Sequence, residues 1–189
     1  MTRALAFLIA AVALLAASHA QAESFDTREI MGSGPYFGAG GSSPIPRTTV
    51  YFNSHYAPGT IVVNTAERRL YLVLPNGQAL RYGIGVGRDG FRWSGVHKIS
   101  AKKEWPGWTP PSQMLARRPD LPRHMAGGID NPLGARAIYL GSTLYRIHGS
   151  NEPETIGQAV SSGCFRMTND DVTDLYNRVS VGTTVVVKN

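Results

Sequence analysis

The sequence predicts a mainly β domain, a β-sandwich or partly closed barrel, with one short helix near the C-terminus. Three observations predict it. Short runs rich in β-branched residues recur between Gly-, Pro- and Asn-containing turns. One of those turns is Pro75-Asn76-Gly77, and Asn-Gly is a strong local signal for a hairpin. After Thr168, apolar residues recur at helical spacing.

The first strand is expected over Thr60-Ile61-Val62-Val63-Asn64, and the second over Arg69 to Leu74. The Asn-Gly turn then returns the chain along Ala79 to Ile84. Further strands are expected over Gly95 to Ala101, Ala137 to Leu140, Leu144 to Ile147 and Thr184 to Lys188. The helix begins after Thr168, which stands three residues before Asp171 in a capping-box pattern. Val172, Leu175, Tyr176 and Val179 follow at i, i+3, i+4 and i+7 and form one apolar stripe, so the helix should run from about Asn169 to Arg178 and pack on the sheet.

The N-terminus has the layout of a secretory signal peptide over residues 1–22. Arg3 gives a positive start, Ala4 to Ala17 is apolar but short for a membrane span, and small residues follow in A-x-A patterns. Its removal takes only Arg3 among the charged residues, so the formal charge falls from +6 to +5. Residues 23–58 read as a Gly/Ser/Pro-rich lead-in, packed on the domain through Tyr51 and Phe52, and residues 59–189 as the domain itself. The expected location is periplasmic, with no stable membrane insertion after cleavage. The positive surplus suits a polyanionic neighbour such as a wall polymer, and the absence of basic runs with interleaved aromatics argues against nucleic acid.

Gly85-Val86-Gly87-Arg88-Asp89-Gly90 fits the dinucleotide-binding pattern G-x-G-x-x-G, yet Phe91-Arg92-Trp93-Ser94-Gly95-Val96 follows in place of helix formers. That pattern needs a helix whose N-terminus faces the pyrophosphate, so these glycines read as a β-turn or bulge. No cofactor is expected. His55, His97 and His124 show no metal-ligand spacing, and no metal site is expected either.

Cys164 is the chain's one cysteine. An exported protein usually carries cysteines in pairs, so this one reads as an inert buried thiol, an intermolecular bridge or a nucleophile. Its setting, Ser161-Ser162-Gly163-Cys164-Phe165-Arg166-Met167, suits the last. Gly163 permits close approach of a carbonyl, and the Gly163 and Cys164 N–H groups can face a developing oxyanion. In an extended segment Arg166 falls on the same face as Cys164, where it can lower the thiol pKa or hold a substrate carboxylate. The candidate base is His148, at the end of a strand and followed by Gly149.

Fourteen residues separate His148-Gly149 from Cys164, and this arrangement of His-Gly and S-x-G-C-x-R resembles the signature of the L,D-transpeptidase catalytic domain, the YkuD-like family. The resemblance extends over about Pro58 to Lys188 and includes Asn131-Pro132-Leu133-Gly134 and Val181-Gly182-Thr183. Many members have histidine where this chain has Ser162. The resemblance implies a β-sandwich-like catalytic fold, with the short helix following the cysteine, acting on peptidoglycan stem peptides. It implies Cys164 as nucleophile, His148 as base, and Gly149, Ser161, Ser162 and Arg166 around the peptide. The product would be a 3→3 cross-link, or an attachment to the wall with an outer-membrane protein as acceptor. Hydrolysis of the same acyl-enzyme by water, or wall binding without catalysis, are the rival readings. Glu104-Trp105-Pro106-Gly107-Trp108-Thr109-Pro110-Pro111 reads as a lid in which Trp108 either meets substrate or packs beneath a long loop.

Overall fold

The computed structural model describes residues 43–189; the leader expected over 1–22 and the lead-in up to residue 42 lie outside the described residues. The strands are β1 (Thr48–Tyr51), β2 (Ile61–Asn64), β3 (Arg69–Leu74), β4 (Gln78–Gly83), β5 (Val86–Gly87), β6 (Gly95–Glu104), β7 (Arg136–Leu140), β8 (Arg146–His148), β9 (Ala159–Ser161), β10 (Phe165–Arg166) and β11 (Thr184–Lys188). Two helices, α1 (Ser112–Arg117) and α2 (Asn169–Arg178), complete the order.

Nine strands form one curled sheet in the order β1-β4-β3-β2-β11-β6-β7-β8-β10. The curl is built on β6. Its first half pairs with β11 and its second half with β7, and the register shifts between Ile99 and Ala101. A bulge of this kind bends a strand and increases its twist. One long strand therefore serves both halves of the sheet. A core gathers between them: Ile61, Leu70, Tyr82, Ile138, Ile147, Phe165 and Val185 are essentially sealed from solvent. Each such side chain stabilises the fold by about 1.5–3 kcal/mol relative to exposure.

The hairpin forms as the Asn-Gly signal predicts, with positive φ at Asn76 (60°) and Gly77 (68°) and Leu74 opposite Gln78. Helix α2 has the predicted bounds. Thr168 caps it by accepting the Asp171 N–H at 3.2 Å, Asp170 and Asp171 sit in the first turn, and Arg178 closes the last. Val172, Leu175 and Val179 enter the core, whereas Tyr176 stays half-buried with the Lys102 ammonium 4.0 Å from its ring centre.

The structure differs from expectation in four places. Residues Thr48–Tyr51, within the expected lead-in, form an edge strand on β4. Phe52 stacks on Tyr71 with ring centres 4.7 Å apart, but Tyr51 is 79 % exposed. Leu144 and Tyr145 belong to a turn and not to β8, because Thr143 Oγ1 donates to the Leu140 carbonyl and accepts the Tyr145 N–H. Finally, β5, β9 and β10 are only two or three residues long and exist through tertiary pairing. Among the described residues, no helix is long and apolar enough to cross a membrane.

Candidate active site

The site is built on the far edge of the sheet. Strands β8 and β10 run parallel, with Phe165 opposite Ile147 and Arg166 opposite His148. Side chains alternate along a strand, so Ile147 and Phe165 turn into the core while His148 and Arg166 face the other way. Continued by two residues, the same ladder places Cys164 beside Arg146 and diagonal to His148. All four of these outward residues line one cavity of about 410 Å³.

His148 is buried, and its Nδ1–H donates to the Gly149 carbonyl at 2.5 Å. A carbonyl only accepts, so this bond fixes the tautomer and leaves the Nε2 lone pair as the proton acceptor. Burial, reinforced by the Arg166 cation, pushes the imidazole down to about 3. Gly149 is itself held, its N–H donating to the Arg136 carbonyl at 3.0 Å. Cys164 is half-buried, and its thiol donates to the Leu144 carbonyl at 3.8 Å. Burial pushes the thiol up, against the pull of the Arg146 and Arg166 cations. At rest the cavity wall therefore carries a neutral thiol and a neutral imidazole.

The loop before the cysteine is held by Ser161. Its hydroxyl donates to the Cys164 carbonyl at 2.6 Å and accepts the Gly163 N–H at 3.2 Å. Ser161 is buried, and the Gly163 N–H is directed at it. The Cys164 N–H takes no part in these bonds. Ser162 is half-buried on the cavity wall. Gly163 has φ +107°, a conformation that side chains rarely adopt, and a Cβ there would come within 2.6 Å of the Tyr145 ring. Arg166 is buried and bonded to Glu152 Oε2 at 2.8 Å, so its charge is matched by a carboxylate.

Sequence reasoning missed Trp93, Glu152 and Arg146. Trp93 donates from Nε1 to the Gly163 carbonyl at 2.8 Å and stacks on Tyr145 with ring centres 4.4 Å apart. Glu152 had no sequence signal separating it from Glu154 nearby. Arg146 had one, since it lies two residues before His148 on the same strand face. The G-x-G-x-x-G segment forms β5 and a turn, with no helix after it. Its glycines serve close approach: a Cβ on Gly87 would meet the Phe91 carbonyl oxygen at 2.5 Å and the Gly163 Cα at 3.2 Å.

Residues 105–135 form a covering excursion, closed at its base by the Trp105 N–H donating to the Ala135 carbonyl at 2.8 Å. It has its own small core of Trp108, Leu121 and Leu133, flanked by Met114, Leu115 and Met125. Trp108 is 5 % exposed and exchanges two backbone hydrogen bonds of 2.8 Å with Met125. It packs inside this small core, as the packing alternative expected, and it also lines the cavity. Trp105 is 42 % exposed and outside the cavity lining.

Residues 58–187 match the family model of the YkuD L,D-transpeptidase catalytic domain. The chain is 41 % identical over 136 residues to the Probable L,D-transpeptidase ErfK/SrfK of Escherichia coli K12. That match takes in 67 % of this chain and 43 % of the relative, so the chain spans less than half of that protein's length. An L,D-transpeptidase from Mycobacterium smegmatis has a similar fold, with a TM-score of 0.57 over 70 % of this chain and 59 % of that one, at 18 % identity. A solved Brucella melitensis structure described as a probable carnitine operon oxidoreductase is 44 % identical, with a TM-score of 0.52 over 86 % of this chain and 99 % of its own.

Proposed function

The chain belongs to the L,D-transpeptidase catalytic-domain family, and from that premise we propose that it is a cysteine acyltransferase of peptidoglycan stem peptides. The observation that carries the reading is the shared outward face of β8 and β10, which presents His148 Nε2 and the Cys164 thiol to one cavity. The glycine pattern that fits a dinucleotide site serves here to pack β5 under the cysteine loop.

The reaction follows from the groups present. Rotation of the thiol away from the Leu144 carbonyl brings it toward Nε2, which takes its proton as sulfur attacks the carbonyl between diaminopimelate and the terminal D-alanine. The Cys164 N–H stabilises the tetrahedral oxyanion. As the C–N bond breaks, the imidazolium returns the proton to the leaving amine and a thioester remains. A side-chain amine of a second stem then attacks. His148 removes its proton, the C–S bond breaks, and the thiolate recovers a proton. One amide is exchanged for another, so no external energy source is required.

The neutral resting pair fits this sequence. A buried imidazole with a low proton affinity gives its proton readily to the leaving amine, and taking the proton from the raised thiol is the costly half of the cycle. Ser161 and Trp93 keep the loop in place while charge develops on it. The acceptor amine can equally belong to an outer-membrane protein, which would yield an attachment instead of a cross-link.

The test is mass spectrometry of purified sacculus peptides incubated with the protein. Dimers lacking one D-alanine are expected. Only shortened monomers would identify a hydrolase, and unchanged peptides would leave a wall-binding module. Adding a lysine-containing envelope protein to the same incubation separates attachment from cross-linking.

A further inference from the structure

Arg146 is a charged group that the mechanism above leaves unused. It stands two residues before His148 on β8, lines the cavity, and falls beside Cys164 when the β8–β10 register is continued. Its charge opposes the rise that burial imposes on the Cys164 thiol.

The charges around it point to an anion. Arg117, Arg146 and Arg166 line the cavity, and among the described residues no carboxylate does. Arg166 has Glu152. Arg146 pairs with no carboxylate among the described residues, and its Nε is buried without a hydrogen-bond partner there. Its guanidinium lies 5.2 Å from the centre of the Tyr139 ring, which supports the cation without neutralising it. Arg81 and Arg136 also have an unbonded buried Nε, but neither lines the cavity. Buried donors ordinarily find a partner, and an unmatched guanidinium in a cavity wall is a receptor for a planar anion.

Bond lengths say which anion. In the donor stem the terminal carboxylate carbon is three bonds from the carbonyl carbon under attack, hence within about 4 Å of it. The sulfur must come within about 3–3.5 Å of that same carbonyl carbon to react. A guanidinium that shares the cavity with Cys164 from the neighbouring register position is therefore placed to meet the carboxylate. The thiol itself is not the main beneficiary of the charge, because burial keeps it protonated despite Arg146.

We propose that Arg146 determines donor specificity by receiving the free C-terminal carboxylate of the leaving residue. Stems ending one residue past the attacked carbonyl are accepted; amidated or longer stems are rejected because their carboxylate is absent or displaced by another residue length. The inference rests on the donor reading given above.

The test compares two synthetic donors, a tetrapeptide stem ending in D-alanine and the same stem ending in D-alanine amide, by the rate at which each acylates Cys164 in intact-protein mass spectra. For the unaltered protein, kcat/KM should favour the carboxylate by about 10- to 100-fold, the range of a hydrogen-bonded charge pair. Arg146→Gln should lose most of that preference through KM, slow the carboxylate donor far more than the amide donor, and move the pH profile of Cys164 alkylation upward, since a cation that lowers the thiol is gone. Arg146→Lys, which keeps the charge without the planar fork, should retain part of the preference and guards against a folding defect in the glutamine variant. Equal loss for both donors, or an unaltered preference in Arg146→Gln, would overturn the role of Arg146. Failure of the unaltered protein to be acylated by either donor would instead overturn the donor reading, and the proposal with it.

Discussion

The β8–β10 ladder and the 105–135 excursion face each other across the cavity, and they are held by different means. The ladder rests on the main core through Ile147 and Phe165 and is pinned by short hydrogen bonds from Ser161 and Trp93 and by a buried ion pair. The excursion is closed by a backbone bond at its base and filled by three buried side chains of its own. One side carries the candidate Cys164–His148 pair, and the other faces it across the cavity with the smaller core.

Mutations separate the two regions. On the ladder, Cys164→Ala should lower turnover by about 10⁴-fold or more with the fold unchanged, since the sequence holds no second cysteine; circular dichroism alongside the sacculus assay checks both halves. His148→Ala should slow acylation by about 10²–10⁴-fold, read as thioester formation in single-turnover mass spectra. Substantial activity in either variant would remove the ladder from the chemistry.

Glu152→Ala tests how far the ladder depends on its ion pair. It strands the buried Arg166 guanidinium and should destabilise the protein by about 3–5 kcal/mol in urea unfolding. Trp108→Ala sharpens the contrast from the other side. The lid core should weaken by about 3 kcal/mol locally, seen as faster proteolysis within residues 105–135 and a higher KM. The rate of Cys164 alkylation should stay as it was.

A last expected effect concerns pH. The folded His148 prefers its neutral form far more than the unfolded chain does, so between about 6.5 and 3 the unfolded state binds more protons. Its contribution to stability is full above about 6.5 and is lost as pH falls toward 3. The urea midpoint should therefore drop between pH 7 and pH 4, and His148→Asn should flatten that slope. Iodoacetamide alkylation of Cys164 should stay slow at neutral pH, as burial raises the thiol.

Local chemistry made much of this legible beforehand. Helix α2 could be read because its cap, acidic first turn and apolar stripe lie within twelve consecutive residues. The β3–β4 hairpin could be read because Asn76 and Gly77 set their own backbone. His148 and Cys164 were legible as a pair only through a family pattern, since sixteen positions in number say nothing about distance. Strands β5, β9 and β10 were not legible, being too short to show a period.

By itself, the sequence determined residue chemistry and short-range geometry: a lone thiol, an imidazole at a strand end, a capped helix, a tight hairpin. Tertiary structure decided the partners. It placed Arg166 against Glu152 and left Arg146 facing the cavity, spent the Gly163 N–H on Ser161, and turned a nucleotide-like glycine run into the floor beneath the cysteine loop. The reason is physical: charge pairing, desolvation and close approach depend on distances between residues far apart in the chain, and those distances exist only once the sheet has curled.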